Sequence, residues 1–282
     1  MSHAVLKALA GPKDELSTET FDGLRTIVYD RCGIVLADNK RALVRARIHK
    51  RIETLGLDSY ADYLAFVRSD ASGQEVVHLV DALSTNVTSF YREPRHFAFL
   101  RTAIESWLAE GRKKLRIWSA ACSSGEEPYT IAIEVCDLVG RKNVDVKILA
   151  TDISSRVLDR CRRGEFNSSN VKPVPPMLRQ RFFTRTASRQ HAAYTVTDEL
   201  RRLVIIRQFN LAAFPYAVSG PLDFIFCRNV MIYFDHATRK RMVCEFRRIL
   251  RPGGYLMIGH AETLLGTATG FVTLEPAIYR RG

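Results

Sequence analysis

The chain has 282 residues, 46% of them hydrophobic and 26% charged, and its formal net charge is +12. This composition is typical of a globular protein. No apolar run approaches the ~20 residues of a membrane-spanning helix, and the amino terminus lacks the apolar core and cleavage site of a signal peptide. We therefore expect a cytosolic protein without membrane insertion. The cysteines are scattered, without histidines at metal-ligand spacing, so we expect reduced thiols and no metal site.

The positive charge is concentrated in two stretches. Residues 1–80 carry equal numbers of basic and acidic side chains, yet no acid interrupts 40–52. A second basic excess lies in 156–207. Such surfaces attract nucleic acid, acidic protein or anionic lipid.

Residues 17–80 have helical periodicity and predict a small all-helical domain. Helices are expected after a cap at Ser17 or Thr18, over 38–55, after a cap at Ser59, and over 74–84. The side chains expected on the inward side of the second helix are Leu43, Val44, Ile48, Ile52 and Leu55.

From residue 115, apolar segments alternate with helical ones, which is typical of a mostly parallel sheet covered on both faces. Strands are predicted at 115–121, 146–150, 203–207, 222–227 and 255–259, with a last element at 271–280. Helices are predicted from Glu126, from Ser154 and over 237–250, the last stopped by Pro252-Gly253-Gly254. The Arg- and Pro-rich stretch 165–202 predicts an inserted subdomain, with a short helix at 176–182 and small strands around 183–197.

Ligands of an open α/β sheet bind at the carboxyl ends of its strands, and polar residues follow the predicted strands. After the first strand, the small residues 119–125 allow a ligand to approach the backbone, and Glu126 and Glu127 open the next helix. This is not a Gly-x-Gly-x-x-Gly fingerprint, and the acids would repel phosphate. They suit an ammonium group or ribose hydroxyls, or they complement the helix dipole.

Three later segments are also candidates for ligand contact. Asp152 is placed either to accept hydrogen bonds from a ribose or to cap the next helix. Asn229 and Tyr233, after a later strand, are either ligand groups or a turn residue and a core aromatic. The segment 86–93 combines amide, hydroxyl, aromatic and guanidinium groups, and we expect it over the ligand cleft.

Six segments together resemble the CheR family of chemoreceptor glutamate methyltransferases. They are TSFYRE (88–93), SAACSSGEEPYTIA (119–132), ATDIS (150–154), FCRNVMIYF (226–234), LRPGGYL (250–256) and GHAE (259–262). No single segment is decisive, but six in the right order at matching spacing are highly specific. The resemblance extends from about residue 20 to the carboxyl terminus.

The resemblance implies an α/β fold: a Rossmann-like class I methyltransferase sheet with an inserted small β-subdomain, preceded by an all-helical amino-terminal domain. Residues 1–84 would form the helical, receptor-facing domain, and 85–114 a linker over the cofactor cleft with the first helix. Residues 115–282 would form the methyltransferase domain, with the insertion at about 165–202.

The resemblance also implies that the cofactor is S-adenosylmethionine and the product S-adenosylhomocysteine. The implied cofactor contacts are Asn86, Thr88, Arg92, Glu127, Asp152, Asn210, Leu211, Arg228 and Asn229. Arg92 is further expected to position the cofactor and the substrate carboxylate. Tyr233 is expected beside the transferred methyl group, where it would fix the geometry of attack.

The implied partner is the cytoplasmic helical bundle of a chemoreceptor, contacted by the basic second helix. The residues expected to bind it are Arg41, Arg45, Arg47 and Arg51; Arg41, Arg45 and His49 share one helix face. In some members of the family the inserted subdomain also binds a peptide at the receptor carboxyl terminus. Glycine is common in that hairpin but absent from Thr184–Tyr194, so peptide binding stays open.

Two other functions are weighed against this one. A nucleic-acid methyltransferase would explain the basic excess. Enzymes that methylate exocyclic amines, however, typically carry Asn/Asp-Pro-Pro-Tyr/Phe after the fourth strand, and residues 229–233 lack both prolines. We therefore expect no nucleic-acid partner. A non-catalytic scaffold that binds S-adenosylmethionine would retain the pocket without transferring the methyl group.

Overall fold

A computed structural model of the chain describes residues 14–140, 142–187, 192–264 and 270–282. Two compact units are present. One contains residues up to Thr85 together with Tyr233–Asp235, and the other contains Asn86–Ile232 and His236–Gly282. Among the helices of the described ranges, none has both the length and the apolar character needed to cross a membrane.

The first unit is helical, as predicted. Its described helices are α1 (Thr18–Cys32), α2 (Arg41–Leu55), α3 (Tyr60–Ser69) and α4 (Gln74–Leu83), with a 3-10 turn at Asp38–Lys40 before α2. Ser17 and Ser59 cap α1 and α3, since their hydroxyls accept backbone N–H groups at 3.1 and 3.0 Å.

The buried stripe of α2 consists of Val44, Ile48 and Ile52. The prediction of an inward Leu43 was wrong, because this side chain is 38% exposed. Successive helical residues are rotated by about 100°, so Leu43 lies outside the i, i+4, i+8 stripe that faces the core.

The segment Tyr233–Asp235 is attached to this unit through the chain that follows α1. The N–H of Val35 donates to the carbonyl of Tyr233 at 2.8 Å. Ile34 and Phe234 form an isolated antiparallel bridge. The backbone of Tyr233 is therefore fixed by hydrogen bonds within the helical unit.

A buried ion pair connects α2 to α4. Arg51 donates through Nε and Nη2 to the two carboxylate oxygens of Glu75, at 2.8 and 2.5 Å, and the Tyr63 hydroxyl donates to Oε1 at 2.9 Å. The Glu75 side chain is only 4% exposed, so its charge depends on these partners. Arg47 donates to the carbonyl of Leu83 at 2.7 Å, at the end of α4.

The second unit confirms the expected α/β fold. Its described strands are β1 (Lys114–Ser119), β2 (Asp145–Asp152), β3 (Glu165–Asn167), β4 (Phe183–Ala187), β5 (Ala192–Val196), β6 (Val204–Gln208), β7 (Leu222–Cys227), β8 (Leu250–Ile258), β9 (Phe271–Glu275) and β10 (Ile278–Arg281). Its described helices are α5 (Arg95–Ala109), α6 (Glu126–Val139), α7 (Ser155–Arg163), α8 (Ser168–Val171), α9 (Pro176–Phe182), α10 (Asp198–Arg201) and α11 (His236–Ile249). A 3-10 turn at Met231–Tyr233 follows β7.

The seven-stranded sheet has the order β6-β2-β1-β7-β8-β10-β9. The first five strands in this order are parallel, and β10 is antiparallel to both of its neighbours. The carboxyl ends of the parallel strands consequently meet at one edge of the sheet. Ser119, Asp152, Cys227 and Ile258 end β1, β2, β7 and β8 there.

Two details of the sheet differ from the prediction. The helix α11 ends at Ile249, before Pro252-Gly253-Gly254, and β8 runs through these residues. Leu222 pairs with Leu250 and Phe224 with Tyr255, so 251–254 form a bulge that accommodates the proline. The element predicted at 271–280 is a hairpin of two strands, β9 and β10.

The insertion contains the predicted helix α9 and a three-stranded antiparallel sheet of order β3-β5-β4. The centre of its predicted hairpin, 188–191, lies outside the described residues. An aromatic cluster joins this subdomain to the segment before α5: the ring of Phe90 lies 4.8 Å from that of Phe166 and 5.6 Å from that of Phe183.

The Arg51–Glu75 pair predicts a stability effect within the helical unit. Arg51→Ala leaves the buried Glu75 carboxylate without its guanidinium, and we expect the free energy of unfolding to fall by about 2 to 3 kcal/mol. Urea denaturation followed by far-ultraviolet circular dichroism measures this change. Arg45→Ala, at an exposed position on the same helix, is the matched control and should stay within about 0.5 kcal/mol of the parent protein. Equal effects of the two substitutions would contradict the structural role of Arg51.

Candidate functional site

Arg228, the first residue after β7, lies between two carboxylates with its side chain 2% exposed. Its Nη1 donates to Glu127 at 2.9 Å, and its Nη2 donates to Glu93 at 3.1 Å and to the carbonyl of Arg92. The hydroxyl of Ser119 donates to the second oxygen of Glu127 at 2.6 Å. These bonds join the ends of β1 and β7 to the start of α6 and to the segment before α5.

The pKa values of the two carboxylates in this network shift in opposite directions. Burial raises the pKa of Glu127, against the opposing effects of Arg228 and Ser119. Burial also acts to raise the pKa of Glu93, but Arg228 and the hydrogen bonds to its carboxylate outweigh it, and the pKa is lowered. Arg228 therefore stabilises the charged form of both acids in a site largely removed from water.

The two acids at the start of α6, which the sequence could not distinguish, lie in different hydrogen-bond networks. Glu127 belongs to the Arg228 network. Glu126 instead accepts a hydrogen bond from the hydroxyl of Ser124 at 2.7 Å, and burial raises its pKa. Glu127 is thus the acid that lies with the other candidate residues.

Asp152, at the end of β2, holds the backbone around the small-residue segment. Its Oδ2 accepts from the N–H of Ser123 at 2.9 Å and its Oδ1 from the N–H of Ser154 at 3.0 Å. Ser123 adopts a left-handed conformation (φ 48°), and its hydroxyl donates to the carbonyl of Asn86 at 3.1 Å. The helix cap predicted for Asp152 is instead Ser154, whose hydroxyl accepts the N–H of Val157. A carboxylate has about four acceptor sites, so the other role predicted for Asp152, ribose acceptor, is compatible with this geometry.

Asn210 and Leu211 follow β6, the neighbour of β2. The N–H of Phe209 donates to the carbonyl of Asp152 at 2.9 Å, which brings Asn210 close to the end of β2. The side-chain oxygen of Asn210 accepts from the N–H of Ala212 at 2.9 Å, and Leu211 is buried.

The segment 86–93 and the residue after Arg228 complete the site. Arg92 donates through Nη1 to the carbonyl of Val87 at 2.8 Å, which closes this segment into a loop around the half-buried Thr88. Asn229 has a left-handed backbone (φ 59°), and its amide donates to Glu93 at 3.3 Å.

His96 lies in the same region, fully buried, and among the described residues neither ring nitrogen has a hydrogen-bond partner. Its Nδ1 is 3.5 Å from Glu93, too far for a good hydrogen bond. The ligand atoms of Glu93, His96 and His260 lie within 4.8 Å of one another. The guanidinium of Arg228 already contacts Glu93, and its charge disfavours a metal cation beside it, so we assign no metal here.

Comparison with known proteins shows the family to which the chain belongs. Residues 86–279 match the family model described as CheR methyltransferase, SAM binding domain, and residues 19–84 match the model described as CheR methyltransferase, all-alpha domain. The chain belongs to the CheR methyltransferase family.

Relatives in this family are similar over most of their length. The chemotaxis protein methyltransferase of Salmonella typhimurium is 38% identical over 264 residues, which are 94% of this chain and 90% of that protein. The chemotaxis protein methyltransferase 2 of Pseudomonas aeruginosa is 40% identical over 247 residues, 88% of this chain and 87% of that protein. The resemblance predicted from the sequence is confirmed. The chain is an S-adenosylmethionine-dependent methyltransferase of chemotaxis, and the nucleic-acid alternative is not favoured.

The structure brings most of the predicted site residues together. Arg92, Glu127, Arg228 and Asn229 share one network, while Asn86 and Asp152 are joined through Ser123. Tyr233 is grouped with the helical unit. The individual roles of these residues remain predictions.

Three residues with clear structural roles were not assigned from the sequence. Ser123, Glu93 and Glu262 all lie inside motifs typical of the CheR methyltransferase family, but no role was given to them. Their position was an available signal for the two acids. Glu93 directly follows Arg92, and Glu262 lies four residues beyond the end of β8, so both fall at the ligand-binding edge of the sheet.

His96 predicts a dependence of stability on pH. Burial and the charge of Arg228 lower the pKa of His96 from 6.5 to about 4. Between these values the unfolded chain binds a proton that the folded protein does not, so the free energy of unfolding falls as the pH decreases. From pH 7 to pH 5.5 we expect His96 to account for a loss of about 1 kcal/mol.

Urea denaturation of the parent protein and of His96→Phe at both pH values measures this contribution. The variant should lose about 1 kcal/mol less than the parent. The exposed His78 provides the control, since His78→Asn should keep the parental pH dependence. Identical pH dependence in all three proteins would show that His96 titrates normally.

Proposed function

We propose that the chain transfers a methyl group from S-adenosylmethionine to glutamate side chains on the cytoplasmic helical bundle of a chemoreceptor, giving glutamyl methyl esters. The observation that supports this most is the convergence of Arg92, Glu127, Arg228 and Asn229 at the carboxyl edge of the sheet, with Asp152 at the adjoining strand. The names of the relatives, chemotaxis protein methyltransferases, agree with it.

The same edge fits the cofactor. Asp152 would accept hydrogen bonds from the ribose hydroxyls, and Asn210 and Leu211 would line the neighbouring position after β6. Glu127 and Arg228 would hold the polar end of the cofactor, with Asn86, Thr88 and Asn229 on the surrounding segments. The bound cofactor supplies an electrophilic methyl group on a positively charged sulfonium.

The acceptor requires alignment more than activation. A glutamate side chain has a pKa of about 4.3 and is already ionised at pH 7, so no general base is needed. Arg92 would position the substrate carboxylate, and Tyr233 would fix the direction of attack. A stronger salt bridge to the substrate would stabilise the ground state and slow the transfer.

Methyl transfer to receptor-containing membranes tests this function. We expect tritiated methyl groups from S-adenosylmethionine to enter receptor protein, and mass spectrometry to locate them on glutamates as base-labile esters. Asp152→Ala is the control for cofactor binding and should weaken affinity for S-adenosylhomocysteine by about 2 kcal/mol. Incorporation into total RNA instead would favour the nucleic-acid methyltransferase, and cofactor binding without any transfer would favour the scaffold.

Receptor recognition is proposed to depend on α2. Arg51 and Arg47 make hydrogen bonds within the helical unit. Arg45 is exposed, and the guanidinium of Arg41 lies 5.4 Å from the ring centre of Phe21. Arg41 and Arg45 are therefore the positions of the predicted set that most readily meet an acidic helical bundle. A further proposal, which rests on the resemblance alone, is that the β3-β5-β4 subdomain binds a peptide at the receptor carboxyl terminus.

Reversal of charge on α2 should weaken receptor recognition selectively. In the double variant Arg41→Glu, Arg45→Glu we expect the receptor KM to rise about tenfold or more, the loss of two favourable charge contacts, with unchanged affinity for S-adenosylhomocysteine. Added salt should lower transfer by the parent protein, because exposed charges are screened. Arg68→Glu, at an exposed position on α3, is the control and should keep the parental KM. A normal KM in the double variant would place recognition elsewhere, on the insertion.

A further inference from the structure

Four backbone N–H groups converge on the side chain of Glu262. Oε1 accepts from Met231 at 2.7 Å and from Ile232 at 3.3 Å, and Oε2 accepts from Asn229 at 2.9 Å and from Gly259 at 2.6 Å. All four donors lie in the segments that leave β7 and β8.

These N–H groups lie where the strand ladder has ended. Cys227 and Ile258 are the last paired residues of β7 and β8, so the backbone beyond them needs other acceptors. A carboxylate is an acceptor with about four sites and forms the stronger, charge-assisted type of hydrogen bond. Burial raises the pKa of Glu262, while its four backbone hydrogen bonds act to lower it. These bonds thus favour the ionised carboxylate.

Gly259 allows the two segments to approach each other closely. A Cβ atom at this position would lie 2.4 Å from Nδ2 of Asn229 and 2.9 Å from Oε2 of Glu262, so no side chain fits. The backbone at 259 therefore packs directly against Asn229.

The conformation held in this way determines the direction of the Asn229 amide. Asn229 has a left-handed backbone, an unfavourable conformation that surrounding contacts must maintain. From it the amide reaches Glu93 at 3.3 Å, and Glu93 in turn binds Arg228. The carboxylate of Glu262 binds the backbone of the same segment.

We propose that Glu262 is a positioning residue for methyl transfer. Its carboxylate sets the backbone from Asn229 to Ile232, and through it the orientation of the Asn229 amide. This inference rests on the proposed function, in which Asn229 contacts the cofactor.

Glu262→Gln tests the inference, because glutamine has the same shape but presents an NH2 group to two N–H donors. We expect kcat for methyl transfer to fall about 10- to 100-fold, as for a small misplacement of a reacting group, with the receptor KM unchanged. Amide hydrogen exchange should accelerate at 229, 231, 232 and 259. Exchange at Ile148, which bonds to Leu203 within the sheet, should not change. Glu105→Gln, at an exposed position on α5, is the matched control.

A double-mutant cycle with Asn229→Ala separates positioning from general stability. If Glu262 acts through Asn229, Glu262→Gln should reduce kcat less in the Asn229→Ala background than in the parent protein. Full additivity, parental kcat in Glu262→Gln, or faster exchange throughout the sheet would each overturn the proposal.

If the parent protein itself does not methylate receptors, the proposed function fails. In that case, faster exchange at the four amides together with weaker binding of S-adenosylhomocysteine would still support Glu262 as a positioning residue, and their absence would overturn it.

Discussion

The architecture of the site depends on one buried positive charge. A guanidinium removed from water is strongly destabilising unless its hydrogen bonds and its charge are matched. Arg228 meets this requirement with Glu127 on α6, Glu93 before α5 and the carbonyl of Arg92. Because these partners come from two segments that are separate from β7, all three segments must come together for the charge to be buried. The contacts that compensate the charge of Arg228 are therefore also the contacts that assemble the cofactor edge of the sheet.

The loops around this charge have an unusual backbone. Tyr91, Glu93, Ser123 and Asn229 all adopt left-handed conformations although none is glycine. Such conformations persist only where neighbouring contacts maintain them, and they concentrate at functional sites. For two of these four residues the contact is a carboxylate that accepts the backbone N–H group: Asp152 for Ser123, and Glu262 for Asn229. Acidic side chains thus shape the loops as well as the electrostatics of the site.

Much of the fold could be predicted from local patterns. The starts of α6 and α7, near Glu126 and Ser154, and the extent of β7 at 222–227 could be predicted, because helix and strand signals are encoded within a few residues. The path of β8 through Pro252 could not be predicted, since the bulge that tolerates it depends on pairing with β7. Leu43 was misplaced for a related reason, because periodicity alone does not tell which of two adjacent apolar residues faces the core.

The residues that meet at this edge of the sheet could be predicted as a set, but their hydrogen-bond partners could not. Motif positions selected Glu127, Asp152 and Arg228 as candidates. They could not distinguish Glu126 from Glu127, whose side chains lie in different hydrogen-bond networks. The position of Glu262 after β8 did not indicate its role either, because three of its four hydrogen-bond donors lie 30 to 33 residues away in sequence.

The aromatic cluster of Phe90, Phe166 and Phe183 links the inserted subdomain to the loop that carries Asn86, Thr88 and Arg92. The insertion is therefore not an independent module in evolution. A subdomain exchanged with that of a relative would present different side chains to Phe90 and disturb the loop, unless the aromatic contact were exchanged with it. Divergence of the subdomain is consequently constrained by its contact with Phe90, and its exposed side chains are where the sequence can change without affecting that loop.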